Sequence, residues 1–248
     1  MLDTDTVRRW IEEAQHLCVL TGAGMSAESG VPTFRDALTG LWARYDAAEL
    51  ATEQGFRAQP ALVWDWYQSR REGVARAQPN AGHLAIARWQ ADHPGRLTLV
   101  TQNVDDLHQR AGSTGVLCLH GALFADRWLD ACPRRARGEP ACDPGSAEPG
   151  HPPRCRSCGN LVRPGVVWFG EDLPPDVLEA AERAAEACDL MLVVGTSGVV
   201  YPAAGLPAVA RRCGARVVVV NPEPSGIDPL AHVVLRGTAA GLLPVLLR

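Results

Sequence analysis

LCVLTGAGMSAESGVPTFR, Leu17 to Arg35, sets an apolar run against a glycine pair and a loop of small and polar residues. Leu17, Cys18, Val19 and Leu20 are continuous apolar residues, the pattern of a strand buried on both faces of a parallel sheet. Gly22 and Gly24 let the main chain turn sharply and approach a ligand, and Ala27 holds the third place of a G-x-G-x-x-G/A pattern. A helix starting there would aim free N–H groups at a pyrophosphate. Glycine after a strand also suits a plain turn, so the stretch alone leaves both readings open.

Outward from this loop, the pattern repeats. Thr6 to His16 reads as an amphipathic helix, and Leu38 to Arg76 as a helical, aromatic-rich insertion broken at Gly55 and Pro60. Leu97 to Asn103 and Val116 to Gly121 read as further strands, each ending in polar residues. LMLVVGTSG, RVVVVNPEPS and AHVVLRG supply three more strand ends after a helix running to about Ala187. Alternating strands and helices with polar chemistry past the strand ends predict an α/β fold, a Rossmann-like doubly wound parallel sheet. A smaller domain would consist of a helical insertion and a zinc-ribbon-like insertion. The expected division is 1–36, 78–121 and 165–248 for the large domain, with 37–77 and 122–164 for the small one.

Composition narrows the class. The 248 residues are 46% hydrophobic with a net charge of −4 and interspersed signs, which leaves no electrostatic footprint for nucleic acid or a membrane surface. MLDTDTVRRWIEEAQ lacks the basic start and apolar core of a signal peptide, and no apolar run reaches membrane-spanning length. A cytoplasmic location is the expectation.

Gln102, Asn103, Asp105 and Asp106 cluster after the second strand, where one such residue would be a cap and four suggest a ligand edge. His120 ends a strand before a glycine and can serve either as a structural group or as a general base near neutral pH. Gly195, Thr196 and Ser197 offer a tight turn with hydroxyl donors, and Asn221 and Glu223 are placed to bind ribose. A dehydrogenase needs an acidic ribose ligand about twenty positions after its glycines. That distance falls on Asp46, inside the helical insertion, so hydride transfer is disfavoured.

Six blocks, GAGMSAESGVPTFR, TQNVDDLH, LHGAL, VVWFGE, GTS and VVNPEPS, resemble in content and order the sirtuins, the NAD-dependent protein lysine deacylases. The resemblance covers nearly the whole chain. It implies that Gly22, Ala23, Gly24, Ser26, Phe34 and Arg35 form the NAD loop, and that Gln102, Asn103 and Asp105 surround the nicotinamide and its ribose. It makes His120 the catalytic base beside Asn103, sets Gly195, Thr196, Ser197, Asn221 and Glu223 along adenosine, and places the last adenine contact at Ala239. Val167, Phe169 and Gly170 match the loop that pairs with the substrate peptide as an added strand. NAD would be consumed: the acyl oxygen attacks the ribose carbon bearing nicotinamide, and the acyl group ends on ADP-ribose. Acylated lysines of proteins would be the partners.

Within that family, Ala51, Tyr67 and Arg70 resemble the subclass that removes negatively charged acyl groups. Tyr67 and Arg70, three apart on a helix, share a face, and an arginine fork with a phenol suits a carboxylate. Tyr67 packed and Arg70 solvated is the plain alternative. Acetyl-lysine deacylation, mono-ADP-ribosyl transfer and a non-enzymatic metal-ribbon module are the competing functions.

The eight cysteines fall into two populations. Cys18, Cys118, Cys188 and Cys213 suit core packing, whereas Cys132, Cys142, Cys155 and Cys158 lie in a Pro, Gly and Arg-rich segment that suggests metal. Sirtuins usually carry two C-x-x-C pairs. Only Cys155 and Cys158 keep that spacing here, so Cys132 and Cys142 are the expected remaining ligands of a structural zinc. His151 as a substitute ligand, or a metal-free module held by Trp128, Leu129 and proline turns, are the alternatives.

Overall fold

The computed structural model describes residues 2–32 and 47–248. Their strands are β1 (Leu17–Thr21), β2 (Leu97–Thr101), β3 (Leu117–Cys118), β4 (Gly121–Trp128), β5 (Val162–Val166), β6 (Leu190–Val194), β7 (Arg216–Val220) and β8 (Val233–Leu235). The helices are α1 (Leu2–Glu13), α2 (Ala47–Leu50), α3 (Glu53–Ala58), α4 (Pro60–Arg76), α5 (Ala81–Asp92), α6 (Leu107–Arg110), α7 (Pro133–Ala136), α8 (Pro175–Ala187), α9 (Leu206–Arg212) and α10 (Ala239–Leu246).

Two compact units emerge, one from residues 2–32, 77–120 and 173–248, the other from 47–76 and 121–172. The first holds a six-stranded sheet in the order β3-β2-β1-β6-β7-β8, every pair parallel. Strand order reverses between β1 and β6, which is where doubly wound sheets bind ligands. Successive residues point to opposite faces. Val19, Leu99, Leu192 and Val218 therefore join Ile11 and Leu243 in one buried cluster. Leu20, Val100, Val193 and Val219 join Ala181, Leu206 and Ala210 in the other. Each such residue, buried on a face covered by helices, contributes about 1.5–3 kcal/mol.

The second unit pairs β4 with β5 antiparallel and carries α2, α3 and α4. Thr52 caps α3 by accepting from the Gly55 N–H at 3.0 Å. Gly55 lies inside that helix, and Pro60 opens the next rather than breaking it, as suits a residue whose missing N–H has no partner in a first turn. Among the described residues no helix is long and apolar enough to cross a membrane.

One expectation fails at the glycine loop. After β1 the chain makes two short 3₁₀ turns, Ala23–Met25 and Ala27–Ser29, and no α-helix up to residue 32. Gly30, at φ 79°, closes the second turn.

Candidate active site

Between β1 and β6 the two glycine loops interlock. Gly22 N–H donates to Val194 O at 3.0 Å and Gly24 N–H to Gly195 O at 2.8 Å. A Cβ on Gly24 would lie 2.8 Å from Gly195 Cα, and one on Gly195, whose φ is 61°, would lie 2.4 Å from Met25 N. These glycines let two loops meet, a reason additional to any ligand approach. Ala23 is exposed beside them, while Phe34 and Arg35 lie outside the described residues.

Behind the loop is a polar network. Ser26, 1% exposed, donates from Oγ to Asp105 Oδ2 at 2.9 Å and accepts from Asn103 Nδ2 at 3.2 Å. His83 Nδ1 accepts from the Asn80 N–H, which leaves His83 Nε2 protonated toward Ser26 Oγ at 3.5 Å. Thr21 Oγ1 donates to Thr101 Oγ1 at 2.8 Å and faces His108 Nε2 at 3.1 Å. The His83 and His108 rings lie 4.7 Å apart. Burial pushes His83 down to about 4, and burial together with the neighbouring His83 pushes His108 down to about 3, so both are neutral at pH 7. Neither histidine stood out in the sequence. His83 at the third helical position after the Asn80 cap, in an apolar helix, was the available signal.

Gln102 links the strand ends. Its N–H donates to Thr21 O at 2.9 Å and its Nε2 to Thr196 Oγ1 at 3.0 Å. His120 Nδ1 lies 2.9 Å from Gln102 O, and burial lowers the imidazole below its ordinary value. Asn221 Nδ2 donates to Thr196 O at 3.3 Å, and Gly226 N–H to the carbonyl of exposed Ser197 at 2.9 Å. Arg236, which the sequence did not single out, braces this loop through Glu223 O at 2.9 Å and the Asp228 carboxylate. Ala239 differs in setting: it is 3% exposed in the first turn of α10, with its carbonyl against Gly82.

In the second unit, Tyr67 is 1% exposed and its hydroxyl accepts from Trp168 Nε1 at 3.0 Å. The Arg70 guanidinium sits 5.0 Å from the Trp66 ring centroid and 5.9 Å from that of Tyr67, so Tyr67 and Arg70 do share a face. Ala51 is buried, and its carbonyl accepts from the Phe169 N–H at 2.9 Å. Val167 is half-buried, whereas Phe169 and Gly170 are exposed. Arg71, next to Arg70, is held instead by Leu123 O, Ala125 O and Asp126.

All four cysteines of the Arg-rich segment are free thiols, and those of Cys132, Cys142 and Cys158 lie within 4.8 Å of one another. The Cys132 and Cys142 sulfurs are 3.5 Å apart, close to the ~3.8 Å separation that tetrahedral zinc imposes on thiolates. Cys155 shares sulfur hydrogen bonds with Cys158 and Cys142, so it borders the trio. Hydrogen bonds with Cys155 and Cys132 push the Cys142 thiol up to about 12. A cation would relieve that mutual repulsion, and the sulfur set fits structural zinc. His151 turns to Asp65 at 2.9 Å rather than joining the sulfurs. Trp128 Nε1 donates to Cys142 O at 2.6 Å and the Leu129 N–H to Leu161 O at 2.8 Å, so those contacts brace the module as well.

Residues 22–202 match the model of the Sir2 family. The chain belongs to this family. A protein of Ralstonia nicotianae named NAD-dependent protein deacylase is 59% identical over 240 residues, covering 97% of this chain and 94% of that protein. A Sir2 homolog solved as an NAD complex superposes with a TM-score of 0.86 at 45% identity, covering 98% of this chain and 92% of the other. A mutant Sir2 homologue in complex with 2'-O-acetyl ADP ribose gives a TM-score of 0.84 at 43% identity, with coverage of 98% and 95%. The Sir2 fold thus accounts for both the six-stranded sheet and the cysteine-bearing insertion.

Proposed function

We propose that this Sir2 protein is an NAD-dependent lysine deacylase working as one catalytic unit, with acylated protein lysines as substrates and 2'-O-acyl-ADP-ribose and nicotinamide as products. NAD is consumed, not reduced. The observation that carries the reading is His120: its Nδ1–H is engaged by the Gln102 carbonyl, and burial keeps the ring neutral. That leaves the Nε2 lone pair to take a proton from a ribose hydroxyl.

Asn103 and Asp105, joined through Ser26, form the wall for the nicotinamide ribose. Gly22, Ala23, Gly24 and Gln102 serve the phosphate and ribose positions. Gly195, Thr196, Ser197, Asn221 and Glu223 take the adenosine side, with Ala239 contributing from α10. Water must be excluded while the sugar carries cation-like charge. Val167, Phe169 and Gly170 receive the peptide as an added strand. Cys132, Cys142, Cys155 and Cys158 would hold zinc, whose closed sulfur shell keeps it structural.

The preferred acyl group is acidic, succinyl or malonyl. Support comes from Arg70, half-buried over the Trp66 and Tyr67 rings on the Tyr67 side of α4. Nicotinamide release from matched acetyl and succinyl peptides tests this directly. Succinyl peptide is expected to react with the higher kcat/KM, and Arg70→Met to impair it far more than acetyl peptide. A strong acetyl preference, or equal losses in the variant, would overturn the acidic-acyl reading.

A further inference from the structure

Trp168 is 2% exposed and is held by four described neighbours, Glu171, Arg163, Phe56 and Tyr67. Its main-chain N–H donates to Glu171 Oε2 at 2.8 Å, and the Arg163 guanidinium carbon lies 3.2 Å from its ring centroid. Arg163 is itself buried, pairs with Glu171 through its two terminal guanidinium nitrogens and donates to Val166 O at 2.8 Å. Phe56 closes in with ring centroids 5.2 Å apart. An indole clamped this way has one polar atom to use, and it points Nε1–H at the Tyr67 hydroxyl, 3.0 Å away.

A phenol has one donor and two acceptor sites. With one acceptor site taken by an N–H, the Tyr67 proton cannot point toward Trp168 and must be directed elsewhere. Burial also raises Tyr67 to about 12, so the proton stays on. Arg70 lies on the same face and contributes the neighbouring positive charge.

We infer that Trp168, through its indole N–H, is a positioning residue for acyl selection: it orients the Tyr67 hydroxyl as a donor toward the distal carboxylate of an acidic acyl group. The inference rests on the acidic-acyl reading proposed above. Donation by Trp168 also polarises Tyr67, strengthening the outward bond. Arg163 and Glu171 act one step behind, by holding the indole plane.

The test is a double-mutant cycle with Trp168→Phe and Tyr67→Phe, reading kcat and KM separately for succinyl and acetyl peptides. Trp168→Phe should raise KM for succinyl peptide roughly three- to tenfold, about one hydrogen bond, and change acetyl KM much less. In the Tyr67→Phe background the same change should add nothing further to succinyl KM. Additive losses, or equal losses on both peptides, would overturn the inference. Because Phe leaves space beside Arg163, the cycle is repeated with β-(3-benzothienyl)alanine at 168, which keeps the bicyclic ring and replaces N–H by sulfur. If that analogue retains wild-type succinyl selectivity, the inference fails. Loss of the acidic-acyl reading itself is seen separately: wild-type protein then shows no succinyl preference, and Tyr67→Phe leaves both peptides alike.

Discussion

His120 Nδ1 lies 2.9 Å from the main-chain oxygen of Gln102, a group that can only accept. The tautomer is thereby set with its proton on Nδ1, and burial lowers the ring's affinity for a second proton. The acid limb of kcat/KM for deacylation is expected below pH 6.5, the ordinary imidazole value. His120→Tyr should lose at least about a hundredfold in turnover. A pH–rate profile whose acid limb lies at or above 6.5 contradicts the assignment.

Acid should destabilise the fold through a different pair. His83 and His108 are neutral in the fold down to about 4 and about 3, whereas unfolded imidazoles protonate near pH 6.5. Their stabilising contribution is complete above that value and is lost progressively as pH falls from it to the folded-state values, below which nothing further is lost. Between pH 7 and pH 5 the loss is about 2 kcal/mol per histidine. Urea unfolding at the two pH values measures it, and a His83→Gln, His108→Gln double variant should flatten the difference. Equal wild-type midpoints would refute it.

Two glycines with left-handed conformations should respond differently to alanine. Gly30 has φ 79° with no atom within 4 Å of an added Cβ, whereas Gly195 has φ 61° and meets Met25 N at 2.4 Å. Gly30→Ala is expected to cost about 1–2 kcal/mol. Gly195→Ala should cost clearly more and lower affinity for NAD, because the Gly22 to Gly24 turn must move. Thermal unfolding and NAD titration separate the cases; similar effects would mean that the loops are not held by this contact.

Zinc is expected at one atom per chain after purification without chelator. Cys155→Ser/Cys158→Ser should abolish it and lower the thermal midpoint, with a smaller effect on NAD binding. Metal analysis that leaves the zinc content unchanged in this variant would remove both residues from the ligand set.

The parallel sheet was legible because its strands are short apolar runs such as Leu190–Val194, bounded by glycine or polar residues. The strand-end residues were legible as polar clusters interrupting those runs. Contacts between distant segments were not. No local pattern shows that Gly24 packs on Gly195, that the His83 and His108 rings meet at a tilt behind Ser26 and Thr21, or that Arg163 supports Trp168. The 3₁₀ turns after Gly22 were missed because glycine spacing alone suggests a helix start, while Gly30 and the Ser26 main-chain bonds end the turn early.

The β1–β6 pairing has a consequence for synthesis. His16, just before β1, donates its N–H to Asp189, just before β6, across 173 positions. A ribosome adding roughly 5–20 residues per second needs about ten seconds or longer to cover that interval. Throughout it, β1 has a free hydrogen-bonding edge, a template for unwanted strand addition by other chains. The nascent protein must keep this buried, largely apolar strand soluble until the strand that completes its pairing leaves the exit tunnel.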